Sequence, residues 1–170
     1  RAYSARRARR PAAKLVLVGD GPLRPELQRA YPEAIFAGMR TGVDLATHYA
    51  SGDVFLFPSL TETFGNVTLE AMASGLAVLA YDYAAAHELI RHGDNGLLAP
   101  LGAAEEFCAL APRLADAAQV RVLGQAARRK ADSMDWSLIY DQFERTLAGV
   151  VQERERSSYA TGVAFGSRPA

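Results

Sequence analysis

The stretch DVFLFPSLTETFGNVTLEAMASGLAVLAYD, residues 53–82, places two short apolar runs on either side of a segment with helical composition. Both runs, VFLF and AVLA, are continuously apolar, which is typical of parallel strands that are buried on both faces. Between them, NVTLEAMASG predicts a helix that Gly75 ends, because glycine commonly follows the last helical turn. The stretch therefore predicts a strand–helix–strand unit with parallel strands.

The same alternation continues on both sides of this unit. We expect further strands at 14–20, 34–38 and 96–100, separated by short helical segments, and mainly helices beyond Pro100. Strands that alternate with helices at this spacing indicate parallel strands joined by crossover helices. The sequence thus predicts an α/β fold: an open, doubly wound, Rossmann-like parallel sheet with helices on both faces.

The length of the chain suits one ordinary domain with a sizeable core, at 170 residues. We expect residues 1–156 to form it and the Ser/Gly/Ala-rich residues 157–170 to be a disordered tail. The chain starts at Arg1, already in helical-looking sequence, which suggests a fragment of a larger protein.

Composition excludes several classes of partner. The net charge is zero, so no overall field attracts nucleic acid or an acidic membrane, and any membrane contact is expected to be peripheral. The first ten residues are rich in arginine, and we interpret them as the solvated face of a helix in preference to a phosphate- or membrane-binding patch. One cysteine, Cys108, fits a reducing compartment, and nothing resembles a signal peptide. We therefore expect a cytoplasmic protein.

Motif searches exclude other chemistries. The sequence has no GxGxxG fingerprint, no GxxxxGK[ST] loop and no GxSxG elbow, which argues against dinucleotide oxidoreductases, P-loop NTPases and α/β-hydrolases. Cys108 and the three histidines form no cluster with metal-ligand spacing, so no metal and no cofactor are expected. His87 lies near the expected site, but we interpret it as structural; His48 and His92 are interpreted as surface residues.

Open parallel sheets bind ligands at the carboxyl ends of their strands. Four loops are expected there: 19–22, 38–40, 58–67 and 81–87. In the third, Gly65 would let the backbone approach a ligand closely, and the amides that follow it would be the unpaired donors of a helix N-terminus. Such donors favour a phosphate group.

Two carboxylates flank this phosphate position. Glu62 lies in the loop before the helix, and Glu70 lies in its first turns. Carboxylates accept hydrogen bonds from sugar hydroxyls, often two at a time. A phosphate site with an acceptor on each side predicts a nucleotide-sugar ligand, with ribose hydroxyls on one flank and hexose hydroxyls on the other.

The segment from Glu62 to Glu70, a Glu-x7-Glu motif, resembles the donor-binding half of retaining group 1, family-4 type glycosyltransferases. The resemblance runs from Lys14 to Leu147 and includes LVLVGDGP, IFAG, HGDNGLLAP and DWSLIYDQF. It implies one half of a GT-B fold, in which two Rossmann-like domains face each other across a cleft. The closest likeness is to bacterial α-mannosyltransferases that use GDP-mannose.

The resemblance also implies roles for individual residues. Glu62 would be the catalytic residue, holding hydroxyls of the donor sugar near the reacting carbon, and Glu70 would bind the ribose. Gly38 and Met39 would line the base pocket, and the turn Gly19, Asp20 and Gly21 would border the nucleotide. The sugar and diphosphate would be contacted by Phe64, Gly65, Asn66 and Val67. Two features depart from the family pattern: Tyr83-Ala84-Ala85-Ala86-His87 stands where members carry a Gly-Gly pair, and the basic pair for the diphosphate would lie upstream of Arg1.

The expected function is transfer of a hexose from an NDP-sugar, either GDP-mannose or a UDP-sugar, to an acceptor hydroxyl with retention. The acceptor, a sugar or glycolipid, would bind the absent N-terminal domain, in some members at the inner face of the cell membrane. Two alternatives stay open: a sugar-nucleotide epimerase or phosphorylase-like enzyme on the same fold, and a binding module without catalysis. The fragment alone is expected to bind donor and transfer nothing.

Overall fold

The computed structural model describes residues 1–62, 65–134 and 136–162. They divide into two units, the first comprising Arg1–Asp132 and the second beginning at Ser133. The division lies inside the region 1–156 that the sequence predicts as one domain. The last helix continues to Gly162, so the first six residues of the expected tail, 157–162, are helical; residues 163–170 lie outside the described range.

Strands and helices alternate through the first unit. The strands are β1 (Val16–Val18), β2 (Ile35–Gly38), β3 (Val54–Phe57), β4 (Ala77–Tyr81) and β5 (Leu97–Ala99). The helices are α1 (Ala2–Arg9), α2 (Arg24–Ala30), α3 (Gly42–Ala50), α4 (Asn66–Ala73), α5 (Ala84–Leu89), α6 (Ala104–Leu110), a 3-10 helix (Ala111–Ala115), α7 (Ala117–Asp132) and, in the second unit, α8 (Trp136–Gly162). No described helix has the length and apolar character needed to cross a membrane.

All strand pairs are parallel, which confirms the predicted α/β class. The strands form two hydrogen-bonded groups, β1–β2 and β3–β4–β5, instead of the single sheet that the sequence predicts. Within β3 and β4 the register pairs Val54 with Ala77 and Phe57 with Ala80, so the strand–helix–strand unit at 53–82 forms as expected.

The hydrophobic core lies around β4 and β5. Every residue of β4 is buried, and Tyr81 at its end packs its ring 5.1 Å from that of Phe107 on α6. Helix α7 adds Leu123 to this core and passes so close to the turn before β4 that a Cβ on Gly124 would overlap the carbonyl of Gly75. Residues 7–62, in contrast, include no buried residue.

Helix α1 fastens the beginning of the chain to this core. Arg6 is 8% exposed, and its Nε donates a hydrogen bond of 2.9 Å to the carbonyl of Leu114, in the 3-10 helix. Burial, the larger effect, and the nearby charge of Arg10 lower the pKa of the Arg6 guanidinium. The hydroxyl of Tyr3 donates to the carbonyl of Ala13, 3.0 Å away, which fixes the connection between α1 and β1.

Candidate functional site

The carboxyl end of β3 leads through the 58–65 loop into α4. Gly65 precedes the helix with φ 85°, in the left-handed region that favours glycine. A Cβ at this position would lie 2.5 Å from Cβ of Ala85 and 3.3 Å from Cγ of Glu62. Only glycine therefore lets this loop pack against the start of α5 with Glu62 beside it.

The N-terminus of α4 presents backbone donors next to this glycine. Among the described residues no side chain caps the helix, and the amide of Thr68 donates to the carbonyl of Gly65 at 3.0 Å. The amides of Asn66 and Val67 belong to the first turn, whose donors have no acceptor within the helix. Together with the helix dipole they favour an anion above the helix end.

The two glutamates occupy different settings. Glu62 is half-buried in the loop, whereas Glu70 is exposed on α4. Glu70 acts on Tyr49 of α3: burial, the charge of Glu70 and hydrogen bonding to Glu70 raise the pKa of Tyr49 to about 12. The Tyr49 ring in turn packs edge-on against Phe55, with 5.9 Å between centroids. Sequence analysis missed this tyrosine, because nothing in the local pattern connects α3 to α4.

The turns after β1 and β2 form a second cluster. The amide of Gly21 donates to Oδ1 of Asp20 at 2.8 Å, and the guanidinium of Arg24 donates to Oδ2 at 3.0 Å. The same guanidinium lies 3.4 Å from the position that a Cβ on Gly38 would occupy, so Arg24 contacts both turns. Gly19, Asp20, Gly21 and Gly38 therefore lie together, and their role in donor binding stays a prediction. Arg24 was missed, although its i,i+4 spacing from Asp20 is a recognisable signal.

The remaining predicted residues differ in exposure. Met39 is 68% exposed at the end of β2, and Asn66 is also exposed. Val67 is half-buried. Phe64 lies outside the described residues.

The turn after β4 contains an alanine with a left-handed backbone conformation. Ala84 adopts φ 47°, the left-handed conformation that a glycine at this place would take readily. Nδ1 of His87 lies 2.7 Å from Oδ1 of Asp82 across the same turn. The hydrogen bond to Asp82, and then its charge, raise the pKa of His87. The histidine thus bonds across the turn, and its interpretation as a structural residue stays a prediction.

Comparison with known proteins identifies the family to which this chain belongs. The model of the group 1 glycosyl transferases matches residues 1–132. A GDP-mannose-dependent alpha-mannosyltransferase of Mycobacterium tuberculosis (strain CDC 1551 / Oshkosh) is 42% identical over 136 residues, which cover 77% of this chain and 34% of the relative. The sulfoquinovosyl transferase SQD2 of Arabidopsis thaliana is 37% identical over 132 residues, or 74% of this chain and 26% of that protein.

A solved structure agrees with the sequence relatives. The structure of Anabaena HepE in complex with UDP superposes with a TM-score of 0.71 at 27% identity, over 82% of this chain and 42% of that one. The chain thus spans about a third of the length of the curated relative from Mycobacterium, since the matched region covers 34% of that protein. Because the family model covers residues 1–132 and the parallel α/β fold agrees, the chain belongs to the group 1 glycosyl transferases and carries a Rossmann-like domain of their GT-B architecture.

Proposed function

We propose that this chain is the donor-binding half of a retaining glycosyltransferase that moves a hexose from a nucleotide sugar to an acceptor hydroxyl. The observation that carries the proposal is the arrangement around α4: backbone donors at Gly65–Val67, with Glu62 before them and Glu70 after them. A diphosphate needs donors, and sugars need acceptors. This loop supplies both over a few residues.

In the proposed complex the diphosphate lies above the N-terminus of α4. The amides of Asn66 and Val67 donate to its oxygens, and the helix dipole adds a favourable contribution of about 0.3–1 kcal/mol. Gly65 keeps this approach open, because any side chain there would meet Ala85. Phe64 belongs to the same loop and is included in the proposal on the strength of the motif alone.

The two glutamates then bind the two sugars of the ligand, one glutamate to each. Glu70, exposed and beside Tyr49, accepts hydrogen bonds from the ribose hydroxyls. Glu62, half-buried beside Gly65, accepts those of the hexose and holds the anomeric carbon in place. Gly38 and Met39 line the base pocket, and the Gly19–Gly21 turn borders the nucleotide.

The reaction proposed for the whole protein uses no nucleophile from the enzyme. The bond between the anomeric carbon and the leaving phosphate oxygen breaks, and the acceptor oxygen attacks from the same face while its proton passes to the leaving diphosphate. Charge develops on the diphosphate, so donors oriented before the reaction stabilise the transition state. In this scheme Glu62 positions the sugar and does not attack it.

We propose GDP-mannose as the donor, since the relative that shares 42% of its residues over the matched region is named as GDP-mannose-dependent. A UDP-sugar is the alternative, because HepE is solved with UDP. The acceptor, a sugar or glycolipid, would bind the other half of the cleft, at the cytoplasmic face of the membrane where it is a lipid. A chain with one half of the cleft would bind donor and show no turnover.

Calorimetric titration of the chain with UDP, GDP, ADP and their sugar conjugates tests this proposal. We expect selective binding of one nucleotide. Glu70→Ala should weaken the nucleotide and its sugar conjugate alike, by about 10- to 100-fold for lost charge-assisted hydrogen bonds. Glu62→Ala should remove only the preference for the conjugate. Glu144→Ala, an exposed glutamate on α8, is the control.

Two results would contradict the assignment. Equal losses for both ligands in both variants would show that the glutamates do not divide the ligand as proposed. Absence of binding by the 170-residue chain and by the full-length protein alike would show that the site is wrong. An epimerase would instead convert the nucleotide sugar without an acceptor, which product analysis with the full-length protein detects.

A further inference from the structure

The ring of Tyr49, in the last turn of α3, belongs to a row of three aromatic rings. It packs edge-on against Phe55, with 5.9 Å between the centroids and 61° between the planes. Phe55 in turn stacks on Phe57 at 5.5 Å, because alternate residues of a strand lie on the same face. Edge-on and stacked arrangements are the favourable geometries of aromatic pairs, so the row holds the Tyr49 ring in one orientation.

The backbone of Tyr49 is held as well. Its carbonyl accepts a hydrogen bond of 3.0 Å from the amide of Gly52, in the turn that ends α3. A Cβ on Gly52 would lie 3.0 Å from Cδ2 of Leu76, so this turn packs closely on the residue before β4. Both the ring and the main chain of Tyr49 are therefore fixed by their neighbours.

The hydroxyl of Tyr49 meets the carboxylate of Glu70, on the neighbouring helix α4. Burial, then the charge of Glu70 and the hydrogen bond to Glu70, raise the pKa of Tyr49 to about 12. At neutral pH the hydroxyl therefore keeps its proton and donates it to the carboxylate. Helix α4 is a firm support for Glu70, because the two residues that follow, Ala71 and Met72, are fully buried.

The side chain of Glu70 itself is exposed, in contrast to its support. A flexible, exposed side chain loses rotamer freedom when a ligand immobilises it, and this loss weakens binding. A hydrogen bond that is already present in the free protein removes part of that cost. An ionised carboxylate has about four acceptor positions, so one bond from Tyr49 leaves positions for both hydroxyls of a ribose.

We propose that Tyr49 is a positioning residue for the donor: its hydroxyl holds the Glu70 carboxylate in the orientation that accepts the ribose hydroxyls. This inference rests on the proposed function, in which Glu70 binds the ribose. Helical side chains lean toward the N-terminus of their helix, and α3 and α4 both begin at the carboxyl ends of strands. Both side chains therefore lean toward the edge where a nucleotide binds to such a sheet.

Calorimetric titration of Tyr49→Phe tests the proposal, because this variant keeps the ring in the aromatic row and lacks only the hydroxyl. We expect GDP and GDP-mannose to bind about 3- to 10-fold more weakly, with the ratio of their affinities unchanged. The analogue 2′,3′-dideoxy-GDP has no ribose hydroxyls and should bind wild type and variant equally. UDP and its dideoxy analogue, titrated in parallel, cover the alternative donor. Tyr31→Phe is the control, since it removes the hydroxyl of a half-buried tyrosine between α2 and β2, at the amino ends of the strands.

Combination with Glu70→Ala separates this inference from the proposed function. If Tyr49 acts through Glu70, Tyr49→Phe should cause no further loss of GDP affinity in the Glu70→Ala background. Wild-type affinity in Tyr49→Phe, together with a loss in Glu70→Ala, would refute the positioning role and leave the ribose site standing. Unchanged GDP binding in Glu70→Ala would refute the ribose site and the positioning role with it. An equal loss for dideoxy-GDP, or in both backgrounds, would show that the hydroxyl acts on the fold instead and would overturn the proposal.

Discussion

Replacing Gly65 with alanine should destabilise the site loop through two separable effects. The residue has φ 85°, a conformation that costs an L-residue about 1–2 kcal/mol. In addition, its new Cβ would lie 2.5 Å from that of Ala85, and such overpacking costs about 1–3 kcal/mol. Together the loss is about 2–5 kcal/mol, a large share of the roughly 5–15 kcal/mol that stabilises an ordinary domain.

A double-mutant cycle separates the two effects. Ala85→Gly removes the Cβ that the new side chain meets, so Gly65→Ala combined with Ala85→Gly should recover the overpacking share and keep the conformational cost. The assay is urea unfolding of the wild-type chain, both single variants and the double variant. Gly21→Ala is the control, since a Cβ there has no heavy atom within 4 Å and its φ is not in the left-handed region.

Two results would refute this reasoning. A loss below about 1 kcal/mol in Gly65→Ala would show that the loop moves aside at little cost. If the double variant loses as much free energy of unfolding as the two single variants together, Ala85 is not the obstacle. Donor binding measured on the same proteins should fall with Gly65→Ala and recover only in part in the double variant.

Three further predictions concern other parts of the first unit. Ala84→Gly should raise the free energy of unfolding by about 1 kcal/mol, because glycine adopts the left-handed φ of 47° without strain; an unchanged or lower urea midpoint would contradict this. Gly124→Ala should lower it by about 1–3 kcal/mol despite the better helix propensity of alanine, because its Cβ meets the carbonyl of Gly75; wild-type stability in thermal unfolding would argue against this packing. The raised pKa of His87 implies that its bond to Asp82 stabilises the fold fully below the ordinary value of 6.5 and ceases to do so as the pH rises through the raised pKa. Unfolding midpoints of wild type and Asp82→Asn should therefore converge at alkaline pH, and a constant difference between pH 5 and 9 would contradict that sign.

Local sequence patterns were enough to predict those strands and helices whose formation depends on residues close in sequence. The continuous apolar runs at 54–57 and 77–81 predicted β3 and β4, since burial on both faces leaves no polar alternation. Gly65 was predicted to let the backbone approach a ligand, which stays a prediction; its close packing against Ala85 was not predicted. The division of the strands into the groups β1–β2 and β3–β4–β5 could not be predicted, because the apolar pattern of a strand does not indicate which neighbour it pairs with.

In the candidate site, too, residues close in sequence could be predicted more readily than contacts between distant elements. Glu62, Gly65 and Glu70 could be proposed as one candidate site from the sequence because they share one short loop and helix. Tyr49 could not be predicted, because it lies on α3 and meets Glu70 on α4. Arg24 has a local signal in its i,i+4 spacing from Asp20, but its position beside Gly38 does not follow from that spacing. The left-handed φ of Ala84 is contrary to the preference of an L-residue, so no residue pattern predicts it.

The bond from Arg6 to Leu114 joins residues 108 positions apart, and this separation has a consequence for biosynthesis. At ~5–20 residues per second, a ribosome needs about 5–20 seconds to make the intervening polypeptide. During that interval α1 lacks the 3-10 helix that accepts the hydrogen bond from Arg6, because that helix has not been made. Completion of the core therefore waits for late translation, and loop-closure entropy slows it further. Nascent chains arrested before Leu114 should be far more susceptible to proteolysis within α1 than those arrested after α7.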